Sequence, residues 1–212
     1  MLSTKFIHWS GLALLLGGLV IAVAIILHPD EAADPGAMIT NIWRIAHGLL
    51  LIGIIPSLFG LIGLYARQME RAGAVGLIGF ILLFVGSVIF AAIFLLETFV
   101  VPTVAADPTG QALLEAAFGG TLGLVFLLTG LAFALGSILF GLAIMRTAVL
   151  PRWAGLALLM GGVLVPFSPP LPHLVGTVGG VLLGASYIWL GYALWRETAG
   201  HSVPSDRMAP VT

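Results

Sequence analysis

The sequence predicts an all-α membrane protein, a bundle of six transmembrane helices with both termini in the cytoplasm. The 212 residues are 60% hydrophobic and 8% charged, with a mean hydropathy of +1.17. A soluble domain carries about 25% charged residues, so this chain has too few to cover a surface in contact with water. Since one helical span needs about 20 apolar residues, the length allows about six or seven spans and no sizeable soluble domain.

Six apolar runs, each bounded by turn or charge signals, are the predicted spans. The first is longer than the apolar part of a signal peptide, which runs about 7–15 residues, so we predict a retained helix. Before the fourth run, Asp107 and Pro108 predict the start of a short extra helix that continues to Phe118. The six runs are Phe6–Leu27, Ile42–Tyr65, Gly73–Val101, Gly120–Met145, Trp153–Val165 and His173–Trp195.

The positive charges predict the orientation of the spans. Seven of the eight Lys and Arg residues fall at the termini or in connections on one side, and Arg44 is the exception. Because Lys and Arg stay on the cytoplasmic side, both termini are expected inside, with residues 201–212 as a short polar cytoplasmic tail. The seven residues are Lys5, Arg67, Arg71, Arg146, Arg152, Arg196 and Arg207.

A repeated motif predicts that the bundle is built from helical hairpins. The stretch Trp9–Gly18 recurs as Trp153–Gly162, and the helices that follow both end in a Gly-to-Arg stretch, at 63–67 and 191–196. We therefore predict one domain over residues 1–200, with parallel hairpin repeats at about 5–67, 71–146 and 152–196. The alternative is that unrelated apolar helices with Arg anchors imitate one another.

Glycines at helical spacing predict close helix packing. Gly176, Gly180 and Gly184 share one face of the sixth span, and Gly119 and Gly123 begin the fourth. Small residues four apart let helix backbones approach closely in a membrane. These glycine faces can pack within the chain, or against a second copy or a partner membrane subunit, and the sequence leaves both open.

Composition and motifs exclude several function classes. The net charge of −1 provides no basic stripe for nucleic acid, so the lipid bilayer is the expected partner. The lack of cysteine excludes disulfides, thiolate metal sites and iron–sulfur clusters. The sequence contains no phosphate-binding loop, dinucleotide fingerprint, nucleophile elbow or His-Glu-x-x-His motif, so nothing in it indicates an enzyme.

Five polar residues form the candidate site. Glu97 lies inside the third span, where an ionisable group is costly and by default indicates a function. Arg44, His47, His28 and His173 fall at the same end of their spans, so we predict one outer-leaflet layer that binds a ligand, a proton or a metal. The alternatives are a Glu97–Arg44 ion pair that joins two helices, a carboxyl that burial keeps protonated, and histidines that only end or pack helices.

The fifth span predicts a pocket beside this layer. It has about 13 residues before Pro166, although a helix needs about 20 to cross the membrane. The proline-rich stretch Phe167–Pro172 cannot be helical throughout. Because non-helical backbone at membrane depth occurs only beside protein or water, we predict an outward-opening pocket next to His173. A short helix capped by a loop is the alternative.

Three functions follow from these features. The first is a non-enzymatic accessory subunit, or a module that binds a small ligand or lipid at the polar layer. The second is a proton-coupled or small-solute transporter in which Glu97 titrates. The third is a redox or metal protein, with haem b between His47 and His173, or zinc bound by His28, His47, His173 and Glu97.

Two short motifs suggest a resemblance. They are the Gly-Leu-Tyr-x-Arg helix end at Gly63–Arg67 and the stretch Val149–Gly155 that opens the fifth span. With them the whole chain resembles small multipass bacterial membrane proteins of uncharacterised function. The resemblance implies a location in the bacterial inner membrane and carries no activity.

Overall fold

A computed structural model describes residues 3–31, 33–167 and 171–199. All regular secondary structure in these ranges is helical, which confirms the predicted all-α class. The predicted tail at 201–212 and the middle of the proline-rich stretch, residues 168–170, lie outside the described residues.

The helices follow the predicted apolar runs closely. Four segments of the described residues are long and apolar enough to cross a membrane, which fits an integral membrane protein. They are Thr4–Leu27, Asn41–Val104, Thr121–Thr147 and His173–Arg196. The elements are α1 Thr4–Leu27, a 3₁₀ helix Pro35–Ile39, α2 Asn41–Phe99, α3 Val101–Val104, α4 Pro108–Phe118, α5 Thr121–Thr147, α6 Arg152–Leu164 and α7 His173–Ala199.

The long helix α2 contains two predicted spans joined at a single glycine. Gly73 has φ 58° and ψ −163°, and the backbone is helical up to it and beyond it. Positive φ suits glycine, which has no Cβ. Tyr65 and Phe80 stack with ring centroids 4.7 Å apart, so the arms 41–72 and 74–99 lie side by side. The polar connection expected after Tyr65 is therefore an extension of the helix rather than a loop.

The predicted short helix before the fourth span is present as α4. The Asp107 carboxylate accepts hydrogen bonds from the backbone N–H groups of Thr109, at 2.8 Å, and Gly110, at 3.3 Å. These bonds hold the pKa of Asp107 below its ordinary value. Asp107 thus caps α4 at its N-terminus, as the sequence predicts.

The helices pack as a closed ring. The helix α1 contacts α2 and α7, α2 contacts α5, α5 contacts α6, and α6 contacts α7. Within α2, the first arm faces α1 through Gly53, and the second arm faces α5 through Gly79 and Gly86. The first and last long helices of the chain are therefore neighbours.

Glycines in the repeated motif make matching contacts. A Cβ atom added to Gly11 would lie 2.8 Å from the Gly191 carbonyl oxygen, and one added to Gly155 would lie 2.9 Å from that of Gly141. In both cases the motif helix meets a long helix where that helix ends in a Gly-to-Arg stretch, at 191–196 in α7 and at 141–146 in α5. The matching contacts accord with the predicted repeat, which stays a prediction.

The glycine face of α7 is used within the chain. A Cβ on Gly180 would meet the Ile25 side chain, and one on Gly184 would lie 2.8 Å from the Gly18 carbonyl oxygen. Both glycines thus let α7 approach α1, as small residues do in membrane bundles. Outside the bundle, large apolar side chains such as Ile26, Ile52 and Leu128 are exposed, as lipid-facing residues would be.

Candidate functional site

A cavity of about 410 Å³ opens at the end of the ring where α1 ends and α7 begins. Four of the five predicted site residues line it: His28, His47, Glu97 and His173. They come from α1, both arms of α2, and α7, so no single hairpin contains the site. We call these four residues the polar end of the cavity.

The start of α2 positions His47. Thr40 caps the helix, because its hydroxyl accepts a hydrogen bond from the Trp43 backbone N–H at 3.3 Å. Trp43 and His47 follow one turn apart on the inner face, each with 2% of its surface exposed. The Trp43 indole N–H donates to the Glu97 carbonyl oxygen at 2.8 Å, which ties the start of the first arm to the end of the second.

The polar side chains contact one another directly. The His47 Nε2 atom lies 3.4 Å from Glu97 Oε2 and 3.3 Å from His28 Nε2. His173 donates from its Nε2 to the His28 carbonyl oxygen at 3.1 Å. The three histidines and Glu97 therefore form one connected group.

Arg44 is the predicted residue that the structure leaves outside this group. It is exposed and does not line the cavity. Successive helical residues are about 100° apart, so Arg44 turns away from the inner face that Trp43 occupies. Among the described residues, the ion-pair contact of Glu97 is with His47, not with Arg44.

The histidine arrangement bears on the two cofactor hypotheses. No group of three or more His, Cys, Asp or Glu side chains in the described ranges is arranged to hold a metal ion. The His28 ring lies against both other rings, with centroids 4.7 Å from His47 and 6.3 Å from His173. A haem with His47 and His173 as axial ligands would have to displace His28.

Beyond the polar end the cavity is mainly apolar. Aliphatic and aromatic side chains from all the long helices form its walls. They include Ile21, Ile25, Leu50, Ile54, Phe90, Phe94, Phe126, Phe133 and Leu183. Val165, Pro166 and Phe167, which follow the short helix α6, complete one wall, as the prediction of a pocket beside His173 requires.

Sequence reasoning missed Tyr187, which lines the cavity from α7. It lies about four turns, or about 21 Å, along α7 from His173. Tyr187 is 2% exposed, and its hydroxyl has no hydrogen-bond partner among the described residues. The available signal was a pair of neighbouring polar groups, Ser186 and Tyr187, within the last predicted span.

Sequence reasoning also passed over Asp30 and Glu31 as site residues. Both follow α1 and line the cavity near the polar end. In the sequence they belong to the connection after the first span, where acidic residues are usually solvated.

Comparison of the chain with protein-family models, with curated proteins and with solved structures finds no match. The site therefore has to be interpreted from its own geometry.

Proposed function

We propose that the protein binds an amphipathic molecule from the bilayer, with the polar head at His28, His47 and Glu97 and the apolar body inside the helix ring. The observation that carries this proposal is that one cavity combines a polar end with mainly apolar walls. The protein then acts as a binding module or as an accessory subunit that holds such a molecule.

The size and lining of the cavity support this function. Pockets for small molecules enclose about 300–1,000 Å³ and combine apolar walls with a few polar groups that orient the ligand. The cavity of about 410 Å³ has this composition. Its reach of about 21 Å along α7, from His173 to Tyr187, suits a molecule with a chain rather than a compact solute.

The predicted orientation places the polar end at a natural depth for such a molecule. With both termini in the cytoplasm, the end of α1 and the start of α7 lie in the outer leaflet. A head group would then stay near the membrane surface while its chain follows the apolar walls. Tyr187 would offer one further hydrogen bond deep in the cavity.

Native mass spectrometry of the protein, released gently from its own membrane, tests the proposal. We expect an added mass that corresponds to a lipid-like molecule. Ile54 lines the cavity, so the larger side chain in Ile54→Trp should occupy the space of the bound molecule and remove this mass. Ile52→Trp is the matched control, because Ile52 is 60% exposed on the outside of the same helix. A bare wild-type protein, or a folded Ile54→Trp variant that retains the mass, would contradict the proposal.

The contact between His47 and Glu97 favours one second candidate, a proton-coupled function. A histidine and a carboxylate 3.4 Å apart, inside a membrane span, can pass a proton between them. Proton uptake into vesicles that contain the protein should then fall when Glu97 is replaced by Gln. Unchanged uptake in that variant would remove this candidate.

A further inference from the structure

We infer that the polar end selects a cationic head group with N–H donors, a protonated amine. This inference rests on the proposed function, because it names the class of molecule that the cavity would hold. It follows from the hydrogen-bond roles of the two histidines and from the charges around the cavity.

The backbone decides which ring nitrogen of each histidine carries a proton. His28 Nδ1 lies 2.9 Å from the Pro29 carbonyl oxygen, and His47 Nδ1 lies 3.0 Å from that of Trp43. A carbonyl oxygen can only accept a hydrogen bond, so each Nδ1 must be the donor. In the neutral rings both Nε2 atoms are then bare acceptors.

These two bare acceptors face each other. The Nε2 atoms of His28 and His47 are 3.3 Å apart, and Glu97 Oε2, another acceptor, is 3.4 Å from that of His47. With Glu97 ionised, three acceptor atoms meet with no donor between them in the described part of the chain, and a proton on Glu97 serves only one of the two Nε2 atoms. Buried polar atoms are normally hydrogen-bonded, so this group is complete only when a donor is supplied.

A proton taken from water by the His28 ring is a costly donor. Burial lowers the pKa of His28 below its ordinary value of 6.5, because the charged ring loses its hydration. An amine that enters with its own N–H groups avoids this cost. One ammonium group carries up to three donors, enough to reach both Nε2 atoms and the carboxylate.

The charges around the cavity favour the same head group. Asp30, Glu31 and Glu97 line it, and no Lys or Arg of the described residues does. A cleft lined by one sign of charge, with apolar walls, attracts the opposite charge. An anionic head such as a carboxylate or phosphate would meet only acceptors and like charges here.

Four probes with the same twelve-carbon chain separate charge from hydrogen bonding. Dodecylammonium is cationic with donors, dodecyltrimethylammonium is cationic without them, dodecanol is a neutral donor, and dodecanoate is an anion. Binding to the full-length protein in lipid nanodiscs would be measured by calorimetry at about pH 8, where the amine is protonated, with empty nanodiscs subtracted. Because charged hydrogen bonds are the strong ones, we expect dodecylammonium to bind about tenfold or more tightly than the others.

Two variants connect this preference to the site. Glu97→Gln should reduce dodecylammonium binding to the level of dodecanol and leave dodecanol binding unchanged. Glu115→Gln removes an exposed carboxylate of α4 away from the cavity and should bind like the wild type. Equal loss in both variants would contradict the assignment.

The outcomes distinguish this inference from the proposed function. Binding of dodecanol as tightly as dodecylammonium would overturn the amine inference and leave the proposed function standing. Equal binding of the two cations would overturn the role of the N–H donors. If no probe binds better than to empty nanodiscs, and native mass spectrometry also shows a bare protein, both fail.

A spectroscopic measurement is independent of any variant. Nitrogen NMR of the histidine rings in ligand-free protein at about pH 8 should show the proton on Nδ1 and a bare Nε2 in the rings of His28 and His47. Addition of dodecylammonium should shift both Nε2 signals. A proton on either Nε2 in the ligand-free protein would overturn the inference.

Discussion

Two helical hairpins of the molecule begin alike and end differently. One consists of α1 and the first arm of α2, and the other consists of α6 and α7. Their motif helices use glycines at equivalent positions to meet equivalent partners. However, α1 has 24 residues and α6 has 13. At the far end, α1 continues until it places His28 at the cavity, whereas α6 stops before Val165 and Pro166.

The site lies where these two hairpins differ. The glycine contacts near the motif hold the ring together at one end, where the two hairpins agree. The cavity lies at the other end, where they no longer match, because a short helix leaves space that a second full-length helix would fill. The helices therefore pack through the part that the two hairpins share, and the cavity lies in the part where they differ.

The largest predicted loss of stability comes from substitutions that break the glycine contacts shared by the two hairpins. A Cβ on Gly17 would lie 2.6 Å from the Gly53 carbonyl oxygen, and one on Gly161 would lie 2.7 Å from that of Gly179. The backbone of the neighbouring helix cannot move away easily. Gly17→Val and Gly161→Val should therefore each lower the free energy of unfolding by about 3 kcal/mol through overpacking. Unfolding by denaturing detergent measures this cost.

Gly48→Ala is the control for these variants. Its added Cβ would meet only the Thr98 side chain at 3.6 Å, an ordinary contact. We expect it to unfold like the wild type. If Gly161→Val were tolerated while Gly17→Val unfolded the protein, the two hairpins would not share one packing mode.

The second-largest predicted loss of stability concerns the hydrogen bond between the two arms of α2. Trp43→Phe keeps an aromatic ring but leaves the Glu97 carbonyl oxygen without its indole donor. The loss should be about 1–2 kcal/mol in the same unfolding measurement. Trp189→Phe, at an exposed position, should cost little. Equal effects would show that the indole bond contributes nothing specific.

A smaller effect compares two serine hydroxyls. Ser186 donates across the α6–α7 contact to the Ala154 carbonyl oxygen at 2.8 Å, whereas Ser57 donates within its own helix to Gly53, also at 2.8 Å. Ser186→Ala should cost about 0.6–1 kcal/mol, as interhelical bonds in membranes do. Ser57→Ala should cost less, because its acceptor lies in the same helix. The reverse order would contradict the importance of the cross-helix bond.

The smallest predicted change in stability appears only at acidic pH. Because burial lowers the pKa of His28 below 6.5, the unfolded chain binds more protons just below that pH, so stability should fall as the pH drops through this window. His28→Gln should lessen the fall in melting temperature between about pH 6.5 and 5. His8→Gln removes a histidine outside the cavity and should retain the wild-type fall. An unchanged acid dependence in His28→Gln would contradict the prediction.

The sequence predicts the fold well because its main determinants are local. Apolar runs and caps such as Asp107 depend on neighbouring residues, and they place the helices within a few residues. The apolar runs end at Tyr65 and resume at Gly73, which predicts a polar connection between two helices. A positive-φ glycine makes the turn within one residue, and the arginines before it stay helical.

The site is predicted only in part because it depends on side-chain direction. Helix ends bring His28, His47, His173 and Glu97 to one level, and the sequence shows this. It does not show that Arg44 turns outward, or that Tyr187, about 21 Å along α7 from His173, faces the same cavity. Both facts depend on the rotation of each helix, which the packing of the whole ring decides.

The contact between α1 and α7 has a consequence for how the molecule is made. Synthesis delivers α1 first and α7 last, and chains fold from the N-terminal end as they emerge. The surface of α1 that carries Gly11 and Gly18 therefore has no packing partner until α7, which carries Gly191 and Gly184, has been made. The cavity needs His28, which follows α1, and His173, which begins α7, so it can form only after α7 has been made.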